Sequence, residues 1–278
     1  AAMSLAMLST PPANAGSNAV VIMYHRFGET KYPSTSVTLE QFEAHLDELK
    51  SSQYTVLPLA EILAALAEGK PLPDRTVGLS IDDAFLSLYA EGWPRLKAAG
   101  FPFTLFIATN PVDQGTFGYM NWDQIREMSR AGVTIGSQTA SHLHMPKADP
   151  ARNREELERS NKRFEEELGR RPLLFAYPYG ESSTAVQAVV REAGFTAAFG
   201  QHSGALGGGG NPFDLPRFAM NENYAGLARF RLAVNALPLP VTDITPADPL
   251  IGAVNPPAMG FAVDAAIKNL DQLACFSS

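Results

Sequence analysis

Cysteine is almost absent: Cys275 is the single one in 278 residues, which excludes a disulfide scaffold or a cysteine-rich zinc module within this stretch. Long hydrophobic runs are missing as well, and without about 18 consecutive apolar residues no segment reads as a membrane-spanning helix. Positive charge is scarce and dispersed. Lys and Arg number 22 against 29 Asp and Glu, a net charge of −7, with no basic run of the kind that binds nucleic acid. No G-x-G-x-x-G follows the first strand-like run and no phosphate loop occurs, so nucleotide binding lacks its usual support. What the chain has is apolar content, 45% hydrophobic against 18% charged, enough to exclude a wholly disordered chain. At roughly 150 residues per domain the length allows one or two domains, and one α/β barrel would use most of it.

The first fifteen residues stand apart. Ala1 to Leu8 is a short, small-residue apolar run, and Pro11-Pro12 leads into Ala13-Asn14-Ala15. This pattern predicts the remnant of a secretory signal over 1–15 with an A-x-A cleavage site, and therefore an exported protein, periplasmic or extracellular. A plain Ala-rich tail would look similar. From Ala19 onward, short β-branched runs alternate with amphipathic helices about seven times. Strands are predicted at 19–24, 54–57, 77–81, 103–107, 133–136, 173–177 and 196–199. Thr38-Leu39-Glu40-Gln41 is a capping box, and a polar helix from about Ala151 stops at Gly169. This rhythm predicts parallel βαβ units, and polar residues after several strands favour a barrel over an open sheet. The barrel is expected over 16–243. Beyond that the chain turns Pro-rich, and 244–278 reads as a linker and a strand-poor, polar entry to a truncated further module, similar to the β-rich accessory domains of related exported proteins, in which Cys275 would find a disulfide partner.

Three post-strand segments carry chemistry. Asp82 and Asp83 close a buried apolar run, where the turning chain lets both carboxylates line one pocket. Neighbouring carboxylates repel unless one holds a cation, which leaves the other free to take a proton from water. A helix N-cap followed by a first-turn acid would give the same two letters. Gln138-Thr139-Ala140-Ser141-His142-Leu143-His144 follows a second strand, and its two alternating histidines hint at a metal. Ala176-Tyr177-Pro178-Tyr179-Gly180 follows a third, where a backbone N–H can face an oxyanion.

Taken together, Leu79-Ser80-Ile81-Asp82-Asp83, Gln138 to His142, and Ala176 to Gly180 resemble the T-F-D-D, H-[ST]-x-x-H and R-x-P-Y motifs of the polysaccharide deacetylase family, also called the NodB-homology or carbohydrate esterase family 4 group. Trp122 to Met128 and Leu215-Pro216-Arg217 add to the likeness, which spans about Ala19 to Asn235. The resemblance implies a distorted (β/α)7 barrel of the NodB-homology type and metal-dependent hydrolysis of N-acetyl groups on a polysaccharide. It makes Asp82 the catalytic base, Asp83 and His142 metal ligands, most simply of zinc, and the Tyr179 N–H an oxyanion donor.

This sequence departs from the pattern at three places. Gln138 stands where the family has its first metal-ligand histidine, and a neutral amide oxygen suits zinc less well than imidazole. Ala176 replaces the motif arginine, and no histidine follows His202. Met23-Tyr24-His25-Arg26 resembles the circularly permuted poly-N-acetylglucosamine deacetylase-like branch, where an N-terminal histidine looks like the equivalent of the late general acid. His25 is therefore the expected acid, with His202 a weaker candidate, and a structural loop histidine is the plain alternative. Arg217 is the expected replacement for the missing arginine, or else a surface residue. Tyr119, Trp122, Tyr177 and Tyr179 are candidate platforms for sugar rings, and His45 reads as a flank of a helix packing face. Two other functions stay open: a catalytically impaired barrel that binds sugar polymers, and an esterase or amidase on a non-sugar substrate.

Overall fold

The computed structural model describes residues 17–51, 53–251, 256–265 and 267–268. The predicted signal remnant and Cys275 lie outside the described residues. Six parallel strands form the main sheet: β1 (Asn18–Tyr24), β2 (Thr76–Asp82), β3 (Thr104–Ile107), β4 (Thr134–Ser137), β5 (Leu174–Ala176) and β6 (Ala197–Phe199). They pair in chain order, and β7 (Ala205–Gly207) adds antiparallel to the outer side of β1. The sheet then curls shut. Leu215 bridges Phe199 in parallel, and Phe218-Ala219 pairs in parallel with Ile22 and Met23, so the irregular segment 215–219 joins β6 to β1. The result is the distorted barrel expected from the motifs.

Side-chain period 2 sorts the strand residues into an inner and an outer set. Val21, Phe106, Leu174, Ala176 and Phe199 cluster with Leu59 and Ile62 of α2 (Leu59–Glu68). Gly136 makes room for this inner layer, because a Cβ there would lie 2.3 Å from the Phe106 ring. Val20, Ile22, Leu79, Ile81, Leu105 and Ile135 belong to the other set. They pack with α1 (Leu39–Lys50), α3 (Trp93–Ala99), α4 (Trp122–Arg130), the Phe164 side of α5 (Pro150–Leu168), and α7 (Leu227–Val234). α6 (Thr184–Glu192) covers Phe175 and Ala198. The capping box at Thr38 forms as predicted, and Gly169 ends α5 in the left-handed conformation.

Three expectations change. The 54–57 strand shrinks to Thr55-Val56, paired with the start of β2. The stretch read as strand-poor contains half of an antiparallel hairpin, Val241–Thr245 with Gly260–Val263, which flanking prolines disguise in sequence. Asp248 fastens that region to the start of α6, accepting hydrogen bonds from the Thr184 amide at 3.2 Å and its hydroxyl at 2.6 Å. His45 is no flank residue but fully buried. Its Nε2 must donate to the Ala225 carbonyl at 2.8 Å, so Nδ1 accepts from the Tyr24 hydroxyl at 2.9 Å. Its ring stacks on Phe230 at 3.9 Å.

Burial drives the His45 pKa down from 6.5 to about 4, partly countered by the Ala225 hydrogen bond. The unfolded chain takes up this proton near pH 6.5 and the folded one only near 4. The contribution is therefore whole above about 6.5 and shrinks as pH falls towards 4, by roughly 3 kcal/mol in all. Urea titrations across this window should show His45→Gln with a visibly flatter pH dependence than wild type. Parallel slopes would mean that His45 already carries its proton when folded.

Candidate active site

Parallel registers such as Asp82 opposite Phe106 and Ser137 opposite Phe175 bring the carboxyl ends of the strands to one rim. Asp82 ends β2 on its inner side, two residues beyond Ser80, and is fully buried. Arg217, also fully buried, reaches it from the closing segment. Its Nη1 donates to Oδ1 at 2.7 Å and its Nη2 to Oδ2 at 2.8 Å. Nε donates to the Gly200 carbonyl and Nη1 also to the Ser80 hydroxyl, so four of five guanidinium donors have partners. The guanidinium carbon lies 5.4 Å from the Phe106 ring centre and 5.9 Å from that of Phe199, which adds a cation–π contribution. Each Asp82 oxygen keeps a second lone pair, so the pair holds the carboxylate without exhausting it.

Past Asp82 the chain turns through left-handed backbone at Asp83 (φ 77°) and Ala84 (φ 55°). That turn places Asp83 beside His142, with Oδ1 3.3 Å from Nε2. Burial alone would raise the Asp83 pKa. The His142 hydrogen bond and the charges of His25, His142 and Arg26 outweigh it and hold the carboxyl below its usual range. His25, partly buried just after β1, is thus close enough to act on Asp83. The strand-end loop after β4 carries two more left-handed non-glycine residues, Thr139 (φ 67°) and His142 (φ 58°). Such residues cost of order 1–3 kcal/mol each and need support from their surroundings.

Gln138 lies inside, fully buried beside Asp83. Its Oε1 accepts from the Asp83 amide at 3.2 Å, although that N–H already serves the Phe106 carbonyl at 3.0 Å, and its Nε2 has no partner among the described residues. A divalent cation fits this donor set in part. Two donors about 2.1 Å from a tetrahedral ion stand about 3.4 Å apart, close to the Asp83–His142 separation. No group of three His, Cys, Asp or Glu converges among the described residues, and the neighbouring amide of Gln138 bonds to the Asp83 backbone.

Tyr179 is left-handed as well (φ 60°), half exposed, and wedged between two histidines. The His142 ring meets it edge-on at 4.4 Å, and the His144 ring stacks on it at 3.8 Å and 5°. His144 is held there by Glu181, with Nδ1 to Oε2 at 2.7 Å, and so braces Tyr179 rather than adding to the Asp83–His142 pair. His202 is exposed and its charge acts on Asp214, whose carboxyl is raised by burial. Of the proposed sugar platforms, Tyr177 and Trp122 are buried core and cannot stack on a ligand. Their polar atoms serve the Phe213 carbonyl and Asp113. Sequence reasoning missed Ser80, Glu181 and the buried Glu156, which accepts from the Ser141 amide at 2.7 Å. Nothing in the acid-rich run of α5 singles Glu156 out.

The family model described as polysaccharide deacetylase matches residues 69–198. A putative polysaccharide deacetylase of Bacillus subtilis, YxkH, is 24% identical over 208 residues, 75% of this chain and 73% of that protein. A poly-β-1,6-N-acetyl-D-glucosamine N-deacetylase of Staphylococcus aureus is 27% identical over 200 residues, 68% of this chain and 69% of that one. Among solved structures, IcaB from Ammonifex degensii superposes with a TM-score of 0.69 at 26% identity, covering 80% of this chain and 98% of that one. The Streptococcus pyogenes deacetylase PplD in complex with acetate gives 0.72 at 19%, covering 79% and 99%, a likeness of fold.

Removing one member of a buried ion pair strands the other, at a cost of about 3–5 kcal/mol. Arg217→Met should lower unfolding stability by that amount. Arg217→Met combined with Asp82→Asn should cost clearly less than the two single changes added together, as a double-mutant cycle in urea would show. Additive losses would mean that the two groups do not depend on each other.

Proposed function

We propose that this chain, which belongs to the polysaccharide deacetylase family, is an exported, metal-dependent N-deacetylase of an N-acetylated polysaccharide. The observation that carries the reading is the convergence, on one barrel rim, of a clamped carboxylate, Asp82–Arg217, with a carboxylate–imidazole pair, Asp83–His142. The activity for which the Staphylococcus aureus relative is named supports an amino-sugar polymer as substrate. Export rests on the apolar run and Ala13-Asn14-Ala15 at the start of the sequence. No helix among the described residues is long and apolar enough to cross a membrane.

Asp83, His142 and Gln138 would hold the cation, most simply zinc, which when bound polarises the acetamide carbonyl and acidifies a water. Asp82 accepts the proton of the attacking water, and Arg217 keeps its carboxylate oriented through both oxygens. The Tyr179 N–H, fixed by a left-handed backbone between His142 and His144, faces the charge that develops on the carbonyl oxygen. His25 gives a proton to the departing sugar amine, so that the C–N bond breaks to free amine and acetate. Tyr177 and Trp122 are buried and cannot meet a sugar, whereas Tyr179 is half exposed with His144 stacked on its ring.

A second reading, a barrel that binds the polymer without cleaving it, is favoured by one observation: Gln138 stands in place of a histidine, and its amide nitrogen has no partner among the described residues. Zinc titration by calorimetry, with acetate release from N-acetylated glucosamine oligomers, separates the two. Asp82→Ala should abolish acetate release and keep most zinc binding, whereas Asp83→Ala should lose zinc. Equal zinc loss in both variants would refute this division of labour. Gln138→His should tighten zinc about tenfold or more, the scale on which ligand surroundings alter affinity. Unchanged affinity would remove Gln138 from the metal, and tighter binding with no acetate released by either protein would favour the binding barrel.

A further inference from the structure

Helix α5 is polar overall, yet its buried face is not simply apolar. Besides Leu157 and Phe164 it buries Asn153, Glu156 and Ser160, spaced three and four residues apart and so stacked along one side of the helix. Each of the three reaches a different point of the loop that carries His142. The Ser160 hydroxyl meets the Ser137 hydroxyl at 3.1 Å, where the loop leaves β4. Glu156 Oε2 accepts from the Ser141 amide at 2.7 Å and the Ser141 hydroxyl at 2.9 Å, one residue before His142. Asn153 Nδ2 donates to the Met145 carbonyl at 3.0 Å, where the loop ends.

Glu156 is the anomaly in this row. Its carboxylate has no solvent exposure, and its other oxygen is held by Arg152 at 2.8 Å and Arg159 at 2.6 Å, both partly exposed residues of the same helix. A carboxylate buried this way is stabilised only by charge-assisted hydrogen bonds, and two of its four end on Ser141. Ser141 sits between Thr139 and His142, both in left-handed backbone that neither residue type favours. The loop's own bonds to hold that shape are few. Leu143 N reaches the Thr139 hydroxyl only at 3.3 Å.

We propose that the Asn153–Glu156–Ser160 stripe is the template that imposes this loop conformation, and that Glu156 is a positioning residue for His142. It acts by pinning the preceding peptide, so that Nε2 stays 3.3 Å from Asp83 Oδ1. The inference rests on the reading of Asp83 and His142 as a metal-binding pair. It explains why a helix far from the carboxylates spends a buried position on an acid. In this view the affinity of the site for a cation is set partly from α5, through one peptide unit.

The test uses zinc alone as probe and three variants. Glu156→Gln keeps an acceptor for the Ser141 amide but loses the charge, Glu156→Ala loses both, and Leu157→Ala opens a cavity on the same helix, in the cluster that includes Met145, while removing none of the hydrogen bonds to the loop. Calorimetric zinc affinity should fall about tenfold or more in Glu156→Ala and by less in Glu156→Gln, the scale on which partners of ligands matter. Leu157→Ala should lose stability with zinc affinity unchanged. Hydrogen exchange of the 139–144 amides should quicken about tenfold or more in Glu156→Gln and hold in Leu157→Ala. If Glu156→Ala does not fold, Glu156→Gln decides through both readouts. Wild-type affinity and exchange in Glu156→Gln, or equal effects of Leu157→Ala, overturn the proposal. A wild-type protein that takes up no zinc removes the metal reading instead, while the exchange rates still decide whether Glu156 anchors the loop.

Discussion

An arginine and an aspartate with no solvent exposure meet at the centre of the barrel rim, and most of the local architecture answers to that pair. Removing each ion from water costs several kcal/mol, which mutual attraction offsets only with good geometry and further hydrogen bonds. The fork of Arg217 supplies the geometry by meeting both oxygens of Asp82. Ser80 and the Gly200 carbonyl supply the further bonds, and Phe106 and Phe199 give the guanidinium two ring faces. The partners lie 135 residues apart in sequence, one at the end of β2 and one in the segment that closes the sheet. The same contact therefore ties the closing segment to β2 and orients the carboxylate proposed as base.

Around that fixed point the site is built from backbone that departs from the common conformations. Asp83, Ala84, Thr139, His142 and Tyr179 are all non-glycine residues at positive φ, and all follow strand ends on one rim. Strain gathered in this way persists only where surroundings over-determine it. Phe106 holds the Asp83 amide, Glu156 holds Ser141, and Glu181 holds His144 against Tyr179. Rigid neighbours thus place short, ordinary side chains at distances that a relaxed loop would not keep.

Much of this was legible in the residues. The alternation of β-branched runs with amphipathic helices pointed to parallel βαβ units, and the post-strand motifs pointed to the rim that carries them. Asp82-Asp83 is readable because two carboxylates adjoin at a strand end, and His142 because it lies in a polar loop after a later strand. Glu156 and Ser80 are not, since each acts through a partner distant in sequence, and a helix rich in glutamate hides the one that is buried. Tyr177 and Trp122 misled for the opposite reason. An aromatic beside a motif looks like a platform until packing shows which face of the strand or helix it occupies.

Sequence by itself determined the local terms: the capping box at Thr38, the Gly169 stop, the strand periods and the residue types available at each strand end. These follow from steric and hydrogen-bonding preferences acting over a few residues. Tertiary structure alone decided that Arg217 would pair with Asp82, because that contact forms only if the closing segment brings its side chain inside the barrel. It likewise decided that His45 is a neutral core residue and that His144 braces Tyr179 instead of joining Asp83. Charge, burial and hydrogen-bond satisfaction are properties of an environment, and for these residues the environment is assembled from parts of the chain that lie far apart in sequence.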